Sequence, residues 1–164
     1  MEDRIQRATQ LFKSGYNCSQ SVVAAFADIY GFTEEQALRM AASFGGGIGR
    51  MRETCGAACG MFLLAGLEKG AVDGADKEGK AANYALVQEL AAEFKKRNGS
   101  LNCGELLGLK KRAEISSVPE ERTEQYYAKR PCSKMVEEVL PGLHSHCHQV
   151  DDLARFRTKQ RTSH

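Results

Sequence analysis

The stretch Thr54-Cys55-Gly56-Ala57-Ala58-Cys59-Gly60-Met61-Phe62-Leu63-Leu64-Ala65-Gly66-Leu67-Glu68-Lys69 decides the fold. From Ala57 to Leu67 it is apolar on nearly all faces of a helix, so it has no polar side to give to water. Such a helix belongs at the centre of a bundle. Its apolar part, Cys55 to Leu67, is too short to span a bilayer. The rest of the chain supplies helices to surround it. Ile5, Ala8, Leu11 and Phe12 have the 3–4 spacing of an amphipathic helix that Gly15 stops. Val22, Val23, Phe26, Ile29 and Tyr30 repeat the pattern up to Gly31. Thr33-Glu34-Glu35-Gln36 is a capping box opening a third helix that runs to about Phe44. Ala75 to Arg97 predicts the longest helix, with Tyr84, Val87, Leu90, Ala91 and Phe94 on its stripe and Asn98-Gly99 closing it. A short helix follows Cys103, and another is expected near Pro119. A last one opens at Pro131, buries Cys132, Met135, Val136, Val139 and Leu140, and ends at Pro141-Gly142. No period-2 alternation of useful length predicts a strand. The expected fold is all-α, a single-domain bundle of about six to eight helices.

Bulk properties narrow the function. The chain has 164 residues and a formal net charge of +2, enough length for one domain with a real core. The charge balance gives no argument for nucleic acid or for an anionic membrane. Lys95-Lys96-Arg97 and Lys110-Lys111-Arg112 read as solvated helix ends. Met1-Glu2-Asp3-Arg4 lacks the apolar stretch of a signal peptide. The expected location is therefore cytoplasmic, with thiols reduced by default. Six cysteines in such a compartment point to metal binding or redox turnover rather than a disulfide frame.

Four of these cysteines follow residues suited to the start of a helix. They stand in Asn17-Cys18-Ser19-Gln20, Thr54-Cys55-Gly56-Ala57, Asn102-Cys103-Gly104-Glu105 and Arg130-Pro131-Cys132-Ser133. Asn and Thr are good caps, Gln20 and Glu105 fit a capping box, and Pro131 suits a first helical position. A thiol in the first turn meets unpaired N–H groups and the positive end of the helix dipole, which favour thiolate. Cys18, Cys55, Cys103 and Cys132 are thus the candidate catalytic or metal-ligating residues, expected to converge on one site. Four thiolates are the usual complement of structural zinc or an iron–sulfur cluster. The same thiolates suit thiol–disulfide exchange. Cys55 is expected to be the most reactive, with Thr54 as cap and Arg50 and Arg52 nearby; burial in the central helix would act the other way. Cys59, four residues on and on the same helix face, either joins the metal set or fills space.

Phe44-Gly45-Gly46-Gly47-Ile48-Gly49-Arg50 leads into Thr54-Cys55. It lacks the pattern of either familiar phosphate-binding loop, and no nucleotide is expected. Gly45, Gly46 and Gly47 would allow a nest of inward N–H groups, with Arg50 adding charge, beside whatever Cys55 holds. The alternative is a tight crossover that only needs small residues. His144, His146, Cys147 and His148 offer a weaker metal set at the C-terminal end. All four histidines lie there, and no nucleophile–base constellation stands out.

Asn17-Cys18-Ser19-Gln20, the Phe44-Gly45-Gly46-Gly47 loop, Thr54-Cys55-Gly56-Ala57-Ala58-Cys59-Gly60, Asn102-Cys103-Gly104-Glu105-Leu106-Leu107-Gly108 and Pro131-Cys132 together resemble the redox-active family C_GCAxxG_C_C. The resemblance spans about residues 1 to 140. It implies a small helical protein whose signature cysteines are Cys18, Cys55, Cys103 and Cys132. A related cysteine domain accompanies the haem domain of split-Soret cytochromes, which extends the implication to an iron–sulfur site. No C-x-x-C-H occurs, so covalent haem is not expected. Cys59, at a variable position of the motif, and the His-rich tail depart from the family. The organisation expected is a redox-active cysteine domain over 1–142 and a polar His-rich tail over 143–164. The function expected is a cysteine-based redox protein, by ligation or by disulfide cycling; the alternative is a non-catalytic helical interaction or metal-binding module. A redox partner of unknown identity and a homodimer are the associations this reading allows.

Overall fold

The computed structural model describes residues 2–146. Among them are eight α-helices and no strand: α1 (Glu2–Lys13), α2 (Cys18–Ala24), α3 (Glu34–Ala41), α4 (Gly56–Lys69), α5 (Lys77–Asn98), α6 (Cys103–Leu106), α7 (Glu124–Lys129) and α8 (Cys132–His146). A 3₁₀ turn, Ala42–Phe44, follows α3. No helix of the described residues is long and apolar enough to cross a membrane.

The apolar helix is central, as its sequence requires. α4 packs against α2, α5 and α8, and Ala57, Ala58, Met61, Leu64 and Ala65 are all buried. Its far end is less enclosed than its composition predicts. Phe62 is half-buried and Leu67 is 41% exposed. The core around α4 takes Phe12 from α1, Val22 from α2, Leu90 and Phe94 from α5, and Val136, Val139 and Leu140 from α8. A smaller cluster joins Val23 and Ala24 to Ala37 and Ala41.

Small residues on α4 set its distance from α2. A Cβ on Gly60 would lie 2.9 Å from Val22 Cβ, and one on Gly56 2.9 Å from the Phe44 carbonyl and 3.3 Å from Cys18 Cβ. Hydrogen at these two positions lets the starts of α2 and α4 approach closely, which brings Cys18 beside Cys55.

The capping boxes form at α2 and α3. Asn17 accepts from the Gln20 N–H at 2.9 Å while Gln20 accepts from the Asn17 N–H at 3.1 Å, and Thr33 and Gln36 do the same. Other boundaries differ from expectation. α2 stops at Ala24 and continues to Tyr30 only as turns. α3 ends at Ala41, before the 3₁₀ turn. On α5, Leu86 joins Leu90 and Phe94 inside, whereas Tyr84 is 61% exposed; the buried stripe is narrower than the apolar one. No helix starts near Pro119. Residues 109–123 have no regular helix, and α7 begins only after its Thr123 cap. Pro141 lies inside α8, so Pro141-Gly142 does not end it. Leu143 is 2% exposed and extends the buried stripe of Val136, Val139 and Leu140; burial of that face outweighs the one backbone hydrogen bond that proline removes.

Candidate functional site

Each of the four candidate cysteines stands at the start of a helix. Cys18, Cys103 and Cys132 are the first residues of α2, α6 and α8, and Cys55 is the cap residue of α4. Thr54 therefore does not cap α4. It pairs with Asn102 in an isolated antiparallel bridge. The Cys55 N–H donates to the Leu101 carbonyl at 2.7 Å and the Cys103 N–H to Glu53 at 2.6 Å, so the bridge sets these two cysteines side by side. Asn102 caps α6 by accepting from Glu105 N–H at 2.9 Å. Glu105 does not complete a capping box, because its carboxylate accepts from the Ser100 hydroxyl instead. Pro131 accepts the first intrahelical bond of α8, from Met135 N–H at 3.1 Å, and so flanks the helix rather than opening it.

Cys18, Cys55, Cys103 and Cys132 all line one cavity of about 450 Å³. The Cys18 and Cys132 thiols interact directly enough that each shifts the other's ionisation. Cys59 is outside this set. It is 7% exposed and its thiol faces the Thr54 carbonyl at 3.7 Å. The side chains of His144, His146, Cys147 and His148 lie outside the described residues. Among the described residues no three His, Cys, Asp or Glu side chains come together as a set that could hold a metal ion.

The family model described as "Putative redox-active protein (C_GCAxxG_C_C)" matches residues 16–144. The chain belongs to this family. Neither a curated protein nor a solved structure matches it.

The glycine loop that accompanies the signature has an uncommon backbone. Gly46, Gly47, Ile48, Gly49 and Arg50 all have positive φ, and Arg52 does too, with the non-glycine residues at 62°. Five consecutive left-handed residues make one left-handed turn, which costs about 1–2 kcal/mol for each residue bearing a Cβ. A β-branched residue such as Ile48 is a clear outlier there. The N–H groups of Ile48, Gly49, Arg50, Arg52 and Glu53 donate to the Phe44, Ser43, Gly45, Gly46 and Gly47 carbonyls, which holds the turn in shape. Gly45, Gly46 and Arg50 line the cavity. Gly47 instead packs on Cys103, where a Cβ would come within 2.5 Å of Cys103 Cβ. The turn places Arg52 beside Cys103.

Arg50, Arg52, Arg122 and Arg130 line the cavity, with Glu120 as the one acidic residue among its lining. Arg52 reaches Cys103 Sγ at 3.9 Å. Arg122 is held by the Phe12 and Tyr16 carbonyls at 3.4 and 3.2 Å. Arg122 and Arg130 lie 4.7 and 4.4 Å from the Tyr126 ring centroid, within cation–π range. This surrounding divides the family's four thiols. The Cys18 S–H hydrogen bond, helped by Arg130, Arg122 and Arg52, outweighs desolvation and brings Cys132 down to about 7. Donating that bond, together with burial, pushes Cys18 well up. Burial raises Cys103, with Arg52 opposing. Cys55 is pushed up to about 12 by burial, which overcomes the favourable Ala58 and Ala57 N–H groups. Burial thus acts against the expectation that Cys55 is the most reactive thiol. Its neighbour Arg50 is turned away to the Val118 carbonyl and Glu120, and the two N–H groups do not match the cost of desolvation. Cys59 is likewise pushed up, to about 11, by burial.

Sequence reasoning missed Arg122, Arg130, Tyr126 and Glu120. Arg130 was legible in principle, standing two residues before Cys132. Arg122 and Glu120 lie in a segment without periodicity, so no local pattern marks them.

Proposed function

We propose that this family member works by thiol–disulfide exchange between Cys132 and Cys18. The observation that carries the reading is that Cys18 and Cys132 line one cavity together with Arg52, Arg122 and Arg130. Cys132 is the nucleophile and Cys18 the resolving thiol. The Cys132 thiolate attacks one sulfur of a substrate disulfide, forming a mixed disulfide and releasing one substrate thiolate, which takes up a proton. Cys18 then loses its proton and attacks the Cys132 sulfur. The intramolecular disulfide forms and the second substrate thiol leaves with that proton. The protein dithiol is oxidised as one disulfide is reduced to two thiols, so atoms and electrons balance. Arg130 and Arg122 hold the attacking sulfur as thiolate at neutral pH. Cys55 and Cys103 complete the cavity wall.

The test begins with protein purified without air. Equilibration with mixtures of reduced and oxidised dithiothreitol, followed by acid quench and peptide mapping, should give a Cys18–Cys132 disulfide. Substituting serine at either position should abolish it. Bound iron or zinc in stoichiometric amount, with Cys18 and Cys132 both inaccessible to alkylation until the metal is removed, would replace exchange with ligation. No disulfide and no metal would leave a helical interaction module.

A further inference from the structure

Glu120 does not belong to the thiol chemistry, yet three guanidinium groups converge on it. Arg130, Arg50 and Arg52 approach the same oxygen, Oε1, at 2.5, 3.6 and 3.7 Å. The arginine side chains are only 17–19% exposed, whereas Glu120 is 49% exposed. The carboxylate thus reaches from the solvent side into a preformed positive pocket. Three positive charges share one negative charge, and Arg50 Nε is buried with no acceptor. The pocket has more donors than Glu120 uses. Like charges held this close repel one another unless more negative charge arrives. A guanidinium offers up to five N–H donors in a fork that matches a carboxylate.

The segment bearing Glu120 is suited to withdrawal. Residues 109–123 form no helix, and Ile115 and Val118 are 60% and 70% exposed. Its hold on the cavity is through side chains: Arg50 on the Val118 carbonyl, the Glu120 contacts, and, at its far end, Arg122 on the Phe12 and Tyr16 carbonyls. Few buried apolar contacts and few backbone bonds make such a segment cheap to open. The pocket it covers adjoins the reactive sulfur, since Arg130 precedes Cys132 by two residues and Arg52 touches Cys103.

We propose that Arg50, Arg52 and Arg130 form a binding subsite for the carboxylate of an acidic low-molecular-weight disulfide, and that Glu120 occupies it as an internal stand-in until that substrate displaces it. The subsite itself rests on the arginine geometry; the disulfide nature of the substrate rests on the exchange reading above. Once the carboxylate is seated, Cys132 attacks the nearer sulfur, with the same balance of thiols as before.

Two probes separate these parts. Octanedioate matches the length of 3,3′-dithiodipropionate but has no disulfide. Calorimetric titration in low-chloride buffer should show octanedioate binding Glu120→Gln at least about fivefold more tightly than the natural chain. Glu120→Ala should do the same, and adding Arg50→Gln should abolish the gain. Neutral octanediamide should bind none of them. Equal or weaker binding to both Glu120 variants with unchanged circular dichroism, or equal binding of the diamide, overturns the subsite. The second probe is oxidation of the reduced protein. 3,3′-Dithiodipropionate should saturate, with a half-saturation lowered by Glu120→Gln, whereas neutral 2-hydroxyethyl disulfide should be unaffected by that change. If octanedioate binds as expected but 3,3′-dithiodipropionate forms no Cys18–Cys132 disulfide, the subsite stands and the acidic-disulfide substrate falls with the exchange reading.

Discussion

Cys132 and Cys55 stand at equivalent places in the chain's grammar, and the fold treats them oppositely. Both begin a helix, both line the same cavity, and both have arginines close by in sequence. Cys132 receives a hydrogen bond from Cys18 and the field of Arg130, Arg122 and Arg52, and titrates near neutrality. Cys55 is enclosed by the starts of α2 and α4 and is held as thiol up to about 12. A helix start contributes only a fraction of a unit charge. It favours the thiolate modestly and is overruled by desolvation at one site and reinforced by full charges at the other.

The largest expected effect is in labelling. With Cys132 near 7 and Cys55 near 12, their thiolate populations at pH 7 differ on the order of 10⁴-fold. A low-pKa thiolate is intrinsically a weaker nucleophile, which narrows the gap in rate. Iodoacetamide should still label Cys132 at least about a hundredfold faster than Cys55, read by quench and peptide mapping. Comparable rates would break the comparison.

Opening the Cys55 enclosure should sharpen it. A methyl group on Gly56 would press on the Phe44 carbonyl and on Cys18, and backbone cannot yield cheaply. Gly56→Ala should lower stability by about 1–3 kcal/mol, as overpacking generally does, and raise Cys55 labelling relative to the natural chain. A thermal melt and the same mapping check both halves.

Removing the charge at Cys132 comes next. Arg130→Gln should move the midpoint of its alkylation pH profile up by about one unit, within the usual range for a neighbouring opposite charge. Arg50→Gln should move it less, since Arg50 is engaged with Val118 and Glu120. A midpoint unchanged in Arg130→Gln would mean that the Cys18 bond alone lowers Cys132.

The smallest effect is on stability against pH, where the two thiols should have opposite signs. An unfolded cysteine titrates near 8.5. The folded Cys132 lies below that, so its contribution is present above about 8.5 and is lost as pH falls through about 7. The folded Cys55 lies above it, so its contribution is present below about 8.5 and is lost as pH rises toward about 12. Denaturation of the natural chain against Cys132→Ser should show an advantage that grows from pH 6 to 9. Against Cys55→Ala the advantage should shrink above pH 8.5. Parallel pH dependence in both variants would contradict the assignment.

The sequence carried much of the scaffold because the signals are local. Asn17-Gln20 and Thr33-Gln36 cap helices through contacts three residues apart, and those boxes form as read. The apolar run from Ala57 to Leu67 leaves no choice but a central position. Signals failed where a neighbour's surface decided them. Tyr84 lies on an apolar stripe but beyond the helices that could cover it, and Leu143 keeps α8 going past a Pro-Gly pair by being buried. In the glycine loop the sequence showed freedom to adopt positive φ. It did not show that non-glycine Ile48, Arg50 and Arg52 would share that positive φ, or that Arg52 would reach Cys103 while Arg50 turned to Val118 and Glu120.

By itself, then, the sequence determined an all-helical chain with four cysteines at helix starts, since periodicity and capping act over a few residues. Which of those thiols ionises was decided only by tertiary structure. A thiol's pKa depends on how much water it loses and on charges that arrive from elsewhere in the chain. Arg122, Arg52 and Cys18 come to Cys132 from other elements, while burial closes over Cys55 from α2 and the Phe44 turn. Neither event leaves a mark in the residues adjacent to either cysteine.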